Sequence, residues 1–144
     1  MIEQPSPPAL RQVVLDTTDA RGLAEFYRAL LGWTYRAGDE APEPGQPDPR
    51  GQDWLVLRNP AGGVGIAFQQ VAHLPAATWP EDGVPQQAHL DMTVTTVEAL
   101  EAQHARVLSL GAHLRYDRSG DAIEPLRVYA DPAGHLLCIF VSAG

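Results

Sequence analysis

The stretch DTTDARGLAEFYRALLGW, residues 16–33, decides the fold. Its large apolar side chains recur at intervals of three and four residues, which predicts a helix with one buried face. These side chains are Leu23, Phe26, Tyr27, Leu30 and Leu31. Asp19 is placed to cap the start of this helix, and Gly32 to end it. A strand is predicted before it, and three more after it. Their predicted bounds are Gln12–Asp16, Trp33–Arg36, Asp53–Arg58 and Val64–Val71.

The same order of elements is predicted a second time. Strict alternation predicts a strand over Ala88–Val94, and Thr96 can cap a second helix that Gly111 ends. The apolar stripe of that helix is Val97, Leu100, His104, Val107 and Leu108, and three strands follow at Ala112–Tyr116, Ile123–Ala130 and Leu136–Val141. Three landmarks align in order between the halves: Gln12-Val13-Val14 with His89-Leu90-Asp91, Leu31-Gly32 with Leu110-Gly111, and Asn59-Pro60-Ala61-Gly62 with Asp131-Pro132-Ala133-Gly134. The sequence therefore predicts two βαβββ modules.

Composition limits the class of protein. The chain has 144 residues, and its 10 basic residues, all arginine, against 18 acidic ones give a net charge of −8. The excess of acid disfavours nucleic acid and anionic membrane surfaces as partners. No apolar run approaches the roughly 20 residues that span a bilayer. Cys138 is the single cysteine, so an internal disulfide is excluded. A cytoplasmic protein is expected.

The domain organisation follows from the repeat. We expect residues 1–9 to form a flexible tail and residues 10–144 a single domain. Module one covers about 10–71, a proline-containing linker 72–87, and module two about 88–142. Two sheets of this kind leave unpaired edges, which predicts a homodimer.

Three segments resemble the vicinal oxygen chelate superfamily, which includes glyoxalase I, extradiol dioxygenases and bleomycin-resistance proteins. They are Phe26-Tyr27-x-x-Leu30-Leu31-Gly32-Trp33, His89-Leu90-Asp91 and Asp131-Pro132-Ala133-Gly134-His135. The resemblance extends from about Leu10 to Ser142. It implies an α+β, glyoxalase-like fold in which the curled mixed sheets of two βαβββ modules enclose one cavity. It does not select an activity, because the superfamily spans isomerases, dioxygenases, lyases and metal-free binders.

The resemblance also implies where a metal would bind. In metal-dependent members four positions ligate a divalent ion, and these correspond here to Gln12, Gln69, His89 and Cys138, with Ala67 as the alternative to Gln69. Cys138 stands where the family usually has Glu. Amides and a thiol with one imidazole are a poor ligand set for a hard divalent ion. No cofactor is therefore expected, and a zinc, nickel, iron or manganese ion is the alternative.

Strand alternation predicts the cavity independently. If the apolar face of each strand packs under its helix, residues of opposite parity face the cavity. The predicted site then comprises His89 and Tyr129 as catalytic groups, and Gln12, Trp54, Gln69, Asp91, Arg127 and Cys138 as ligand-binding groups. Because Arg127 is expected to face the cavity, the net negative charge does not exclude an anionic ligand.

Each of these residues also has a structural interpretation. His89 is either a base held by Asp91 or a buried histidine hydrogen-bonded to Gln12 or Gln69. Arg127 either clamps a substrate carboxylate or pairs with a local acid such as Glu124 or Asp91. Tyr129 is either a donor or a packed aromatic residue, and Cys138 is favoured as a small core hydrophobe over a nucleophile or ligand.

These observations favour a small-molecule-binding protein that lacks a complete metal site, of a resistance or sequestration type. The alternative is a lyase, isomerase or dioxygenase of the glyoxalase type that acts on a small oxygenated substrate. A third hypothesis is an interaction module that pairs through its open sheets. Trp79-Pro80 in the linker either caps the pocket or fixes the crossover, and the acidic loop from Asp39 to Asp53 is expected to be solvated.

Overall fold

Each predicted module is a helix lying on a four-stranded mixed sheet. The computed structural model describes residues 1–143. Module one comprises β1 Gln12–Thr17, α1 Ala20–Leu31, β2 Thr34–Tyr35, β3 Trp54–Arg58 and β4 Gly65–Gln70. Module two comprises β5 Leu90–Val94, α2 Val97–Ser109, β6 His113–Arg118, β7 Leu126–Ala130 and β8 Leu136–Val141. A short 3₁₀ turn at Arg50–Gln52 precedes β3.

The strand order confirms the repeat. The first sheet runs β1-β4-β3-β2 and the second β5-β8-β7-β6. In both, the first strand of the module pairs in parallel with the last, and the other neighbours are antiparallel. The α+β fold of two βαβββ modules is confirmed. The two sheets do not close on each other, and each ends in two edge strands.

Local signals fix both helices at their predicted caps. The side chain of Asp19 accepts a hydrogen bond from the Gly22 amide at 3.0 Å, and that of Thr96 from the Ala99 amide at 3.0 Å. Gly32 ends α1 with φ of 68°, a left-handed conformation that glycine adopts without steric cost. Capping therefore sets where each helix begins, and in module one also where it ends.

One hydrophobic core joins the two modules. Fully or almost fully buried side chains from both helices and both sheets form a single cluster that includes Leu23, Phe68, Leu100, Val107 and Leu137. The helices also meet directly, since Arg106 of α2 donates to the backbone carbonyls at the end of α1. Both helices cover the core side of the sheets, so the opposite faces, called the open faces below, are left without a helix. In α2 the predicted stripe is only partly buried, and Val97 and Leu108 are exposed.

A chain of hydrogen bonds fixes the last turn of module two to module one. The Tyr27 hydroxyl donates to Oδ2 of buried Asp131 at 2.6 Å, and Oδ1 of Asp131 accepts from the amides of Ala133 and His135. Nε2 of His135 lies 2.6 Å from the carbonyl oxygen of Asp16, and because that oxygen only accepts, Nε2 carries the proton. Burial raises the pKa of both Tyr27 and Asp131.

Ion pairs hold the acidic loop against module one. The carboxylate of Asp39 is fully buried and accepts from Nη1 of Arg50 at 2.8 Å and from the Val56 amide at 3.0 Å. Arg21 of α1 binds both carboxylate oxygens of Asp48, at 2.8 and 3.0 Å. Residues 40–47 are exposed, as expected of a solvated loop, while the contacts of Asp39 and Asp48 attach the two ends of the segment to module one.

The contact between Tyr27 and Asp131 is open to a direct test. Tyr27→Phe removes the hydroxyl and leaves a buried carboxylate oxygen without its donor, so we expect a loss of about 1–3 kcal/mol in the free energy of unfolding by urea. Tyr116→Phe is the matched control, because the Tyr116 ring is half-exposed and its hydroxyl has no hydrogen-bond partner in residues 1–143. Equal losses in the two variants would contradict this account.

Candidate functional site

The open face of the first sheet carries a row of polar side chains. Asp16 pairs with Gln69 across β1 and β4, and Trp54 pairs with Gln69 across β3 and β4. The next row along the strands, Leu15, Phe68 and Leu55, packs in the core instead. Successive side chains of a strand point to opposite faces, so the row of Asp16, Gln69 and Trp54 lies on the open side. This agrees with the face that alternation predicts for Trp54 and Gln69.

A cavity of about 610 Å³ lies where both modules meet the linker. Its walls include Val14, Asp16 and Gln69 of module one, His89 and Leu136 of module two, and linker residues 74–75 and 84–87. This volume falls in the range of small-molecule sites, and the mixture of apolar walls with a few polar groups is typical of them. We take this cavity as the candidate functional site.

The linker builds one wall of the cavity and fixes the crossover. Ala77 is buried against Ala130 and Leu136 on the open face of the second sheet. Trp79 packs beside them and meets the Tyr116 ring edge-on, with 5.7 Å between ring centroids. Trp79 itself does not line the cavity. Of the two predicted roles of Trp79-Pro80, the contacts therefore support fixing the crossover, while neighbouring linker residues cover the cavity.

His89 lies at the rim of the cavity beside Asp91. Its Nε2 is 3.1 Å from Oδ1 of Asp91, and the two side chains are 46% and 58% exposed. The alternative of a buried histidine bonded to Gln12 or Gln69 is therefore wrong. The pair resembles a base held by a carboxylate, although Asp91 itself does not line the cavity.

Arg127 and Tyr129 lie on the helix side of the second sheet, so the expectation that they face the cavity is wrong. The Tyr129 hydroxyl is 2.7 Å from Nδ1 of His104 in α2. Arg127 donates to Glu101 of α2 at 2.8 Å and to Asp117 of β6 at 3.1 Å. Both side chains are buried. Burial raises the pKa of Tyr129 to about 12, so its hydroxyl stays protonated at neutral pH.

Arg127 and Tyr129 face the helix because the linker covers the opposite face of β7. Alternation assumes that apolar side chains face the helix. Here Glu101 and His104 of α2 lie on that side. They form hydrogen bonds with the polar residues of β7, Arg127 and Tyr129 respectively. The apolar residues Val128 and Ala130 face the other way, where the linker covers them. Alternation correctly predicts which residues of β7 share a face. It does not predict which face is covered, because the covering segment is the linker, which has no regular secondary structure.

Cys138 lies on the open face of the second sheet in register with Asp91. Burial raises the pKa of its thiol to about 11, and the negative charges of Asp91 and Glu124 add to this shift. The sulfur is therefore a neutral thiol at physiological pH, which is a poor nucleophile. Its position supports the interpretation as a small buried hydrophobe.

The four positions implied by the family do not line one cavity. Gln69 and His89 line the same cavity, whereas Cys138 does not line it. Gln12 lines a separate cavity of about 370 Å³ with Arg11 and Arg58. Within residues 1–143 no three His, Cys, Asp or Glu side chains are grouped so that they could hold a metal ion. Two amides, a protonated thiol and one exposed imidazole do not fit a divalent ion.

Alternation places Asp16 on the cavity-facing side of β1, although the predicted catalytic and ligand-binding residues do not include it. Its carboxylate lies on the same face of β1 as Gln12 and Val14, so the alternation contained the signal. The linker residues 84–87 are also missing from the predicted site, and no periodic pattern marks them. Their position depends on packing between the modules, which a reading of single strands does not give.

Comparison with known proteins identifies the family. The model of the glyoxalase-like domain family matches residues 12–140, so the chain belongs to that family, within the vicinal oxygen chelate superfamily. No curated protein is similar enough in sequence to match the chain. No helix within residues 1–143 is long and apolar enough to cross a membrane.

Solved structures show the same fold at low sequence identity. A glyoxalase/dioxygenase from Nostoc punctiforme has a TM-score of 0.67 at 15% identity, covering 99% of both chains. A glyoxalase/bleomycin resistance protein/dioxygenase family enzyme from Burkholderia phytofirmans PsJN has a TM-score of 0.66 at 16% identity, covering 93% of this chain and 98% of that one.

A third similar structure carries a metal and a ligand. It is a mutant of the fosfomycin resistance protein FosX from Listeria monocytogenes, complexed with Mn(II) and 1S,2S-dihydroxypropylphosphonic acid. Its TM-score is 0.64 at 15% identity, covering 99% of this chain and 94% of that one. At this identity the likeness shows the fold alone.

The state of the Cys138 thiol gives a prediction. Its pKa of about 11 in the folded protein lies above the usual value near 9, so the thiol favours folding below pH 9, and this contribution is lost as pH rises through 11. At about pH 8 we expect iodoacetamide to alkylate native Cys138 far more slowly than the same residue in urea, as measured by mass spectrometry. Equal rates in the native and unfolded protein would contradict a buried, protonated thiol.

Proposed function

We propose that the protein binds a small molecule in the cavity between its modules and works as a resistance- or sequestration-type binder without a complete metal site. The observation that carries this proposal is the cavity of about 610 Å³, whose walls come from both modules and the linker. A ligand there touches three separate parts of the chain. Binding therefore couples to the packing of the whole fold, as expected of a protein that sequesters a compound.

The chemistry of the donor set supports a binder over a metal enzyme. The family positions hold Gln12, Gln69, His89 and Cys138, and amide oxygens are neutral, weak ligands. Within residues 1–143 no three His, Cys, Asp or Glu side chains are grouped so that they could hold an ion. Metal analysis of the purified protein tests the proposal. Zinc, nickel, iron or manganese bound tightly at one equivalent in metal analysis would overturn it.

A second candidate function is catalysis with His89 as the base. The contact that favours it is the 3.1 Å approach of His89 to Asp91 at the cavity rim. Arg127 and Tyr129 do not join this group, because they bond to residues of α2 and β6. An enzyme built on this pair would lose turnover in His89→Ala with little change in melting temperature. A variant that only melts lower would assign His89 a structural role.

We further propose a cytoplasmic homodimer. The edge strand β1 exposes Val13 and Val14, and the edge strand β6 exposes Leu114 and Tyr116. Edge strands with apolar side chains are surfaces that a second copy can cover. Light scattering on the purified protein tests the assembly, and a mass of one chain would contradict it. A chain with one cysteine is compatible with a reducing compartment.

A cavity-filling substitution tests whether the proposed site binds ligand. Val14 lines the cavity and is 41% exposed. We expect Val14→Trp to fill it and to weaken the binding of aromatic fragments by about tenfold or more, which corresponds to 1.4 kcal/mol, in ligand-observed NMR. Val64→Trp is the matched control, because Val64 is 37% exposed and lies outside the cavity. Equal fragment binding by the two variants would place the site elsewhere.

A further inference from the structure

We infer that the ligand of this cavity is an amphiphile with one cationic nitrogen, an ammonium, amidinium or guanidinium group, that binds the carboxylate of Asp16. This inference rests on the proposed function and adds the chemical class of the ligand. It depends on three features of the described residues: the absence of a fixed cation in the cavity wall, the uncompensated charge of Asp16, and the rigid attachment of that residue.

Among the described residues, 1–143, no arginine lines the cavity, and the chain has no lysine. Most arginines are already committed to acids in ion pairs: Arg21, Arg28, Arg36, Arg50, Arg118 and Arg127. The two histidines of the wall are also engaged, His89 with Asp91 and His135 with the carbonyl of Asp16. An anionic ligand would therefore lose its hydration without gaining a fixed positive partner.

Asp16 is the acid that faces the cavity, and its charge is uncompensated. Within residues 1–143 its carboxylate makes no hydrogen bond and no ion pair, and His135 contacts its backbone carbonyl instead. By contrast, Asp39, Asp48 and Asp131 all have their carboxylates engaged. A half-buried carboxylate beside apolar walls binds a cation through a charge-assisted hydrogen bond, which is stronger than a neutral one.

The position of Asp16 is fixed before any ligand arrives. Its carbonyl is bonded by His135, whose amide is held by Asp131, which in turn accepts from Tyr27 in the core. An anchor held in this way loses little conformational entropy on binding. The carboxylate is therefore presented to the cavity from a rigid strand end.

The remaining walls define the rest of the ligand. Val14, Leu74, Val84 and Leu136 supply apolar surface for an aryl or alkyl body. The amides of Gln69 and Gln86 offer neutral hydrogen-bonding groups beside it. The phosphonic acid in the Listeria monocytogenes structure is a ligand of the opposite charge. The same fold therefore holds, in this chain, a cavity of different electrostatic preference.

Three probes with one carbon skeleton test the charge preference: 3-phenylpropylamine, 3-phenylpropan-1-ol and 3-phenylpropionate. Their dissociation constants are measured by NMR titration of the full chain near neutral pH. We expect the amine to bind about tenfold more tightly than the alcohol, which corresponds to 1.4 kcal/mol, and the carboxylate to bind most weakly. Raising the salt concentration should weaken the amine and leave the alcohol unchanged.

Variants then assign the preference to Asp16. Asp16→Asn should reduce amine binding to the level of the alcohol, and Asp16→Glu should retain the preference for the amine. Glu43→Gln removes the same charge from an exposed loop outside the cavity and should change nothing. If Asp16→Asn fails to fold, two measurements still test the inference. They are the salt dependence of amine binding and the preference of Asp16→Glu for the amine.

The outcomes separate this inference from the proposed function. If the alcohol or the carboxylate binds the wild type as tightly as the amine, or if Asp16→Asn keeps the preference, the cavity binds ligands but the cation inference is overturned. If none of the three probes shifts a resonance of the cavity, both the inference and the proposed function are overturned.

Discussion

The hydrogen bond between the Tyr27 hydroxyl and the buried Asp131 carboxylate is the contact on which the arrangement of the two modules depends. It joins α1 of module one to the β7–β8 turn of module two at 2.6 Å. The same carboxylate orders its own turn through the Ala133 and His135 amides, and His135 continues to the end of β1. A single buried acid therefore fixes both the turn and the strand end that forms the cavity wall.

The linker imposes the second constraint. It lies on the open face of the second sheet, with Ala77 and Trp79 packed on Ala130 and Val128. Since that face is now covered, β7 buries apolar residues there and turns Arg127 and Tyr129 toward α2. On the open face of the first sheet, Asp16 and Gln69 line the cavity together with linker residues 74–75 and 84–87. The two modules thus share one strand order, but their open faces carry different kinds of side chain.

Sequence periodicity predicted the topology better than the site. Local signals such as the caps Asp19 and Thr96 and the turn glycine Gly32 act within a few residues, so they can be recognised in a single chain. Alternation also assigned the faces of β1, β3, β4 and β8 correctly. It fails at Arg127 and Tyr129, because the orientation of these side chains depends on contacts with α2 and on the linker that covers the other face of β7. Such long-range packing overrides local pattern.

The side chains of the cavity, and not the fold, decide which ligands this chain can bind. The family positions carry neutral amides and a protonated thiol, and the guanidinium that could have clamped an anion is bonded to Glu101 and Asp117 behind the sheet. Within residues 1–143 the cavity wall holds the Asp16 carboxylate beside apolar side chains, glutamine amides and the two histidines His89 and His135. The structure complexed with Mn(II) and a phosphonic acid shares only its fold with this chain, because ligand preference is set by the few side chains at the site and not by the topology that holds them.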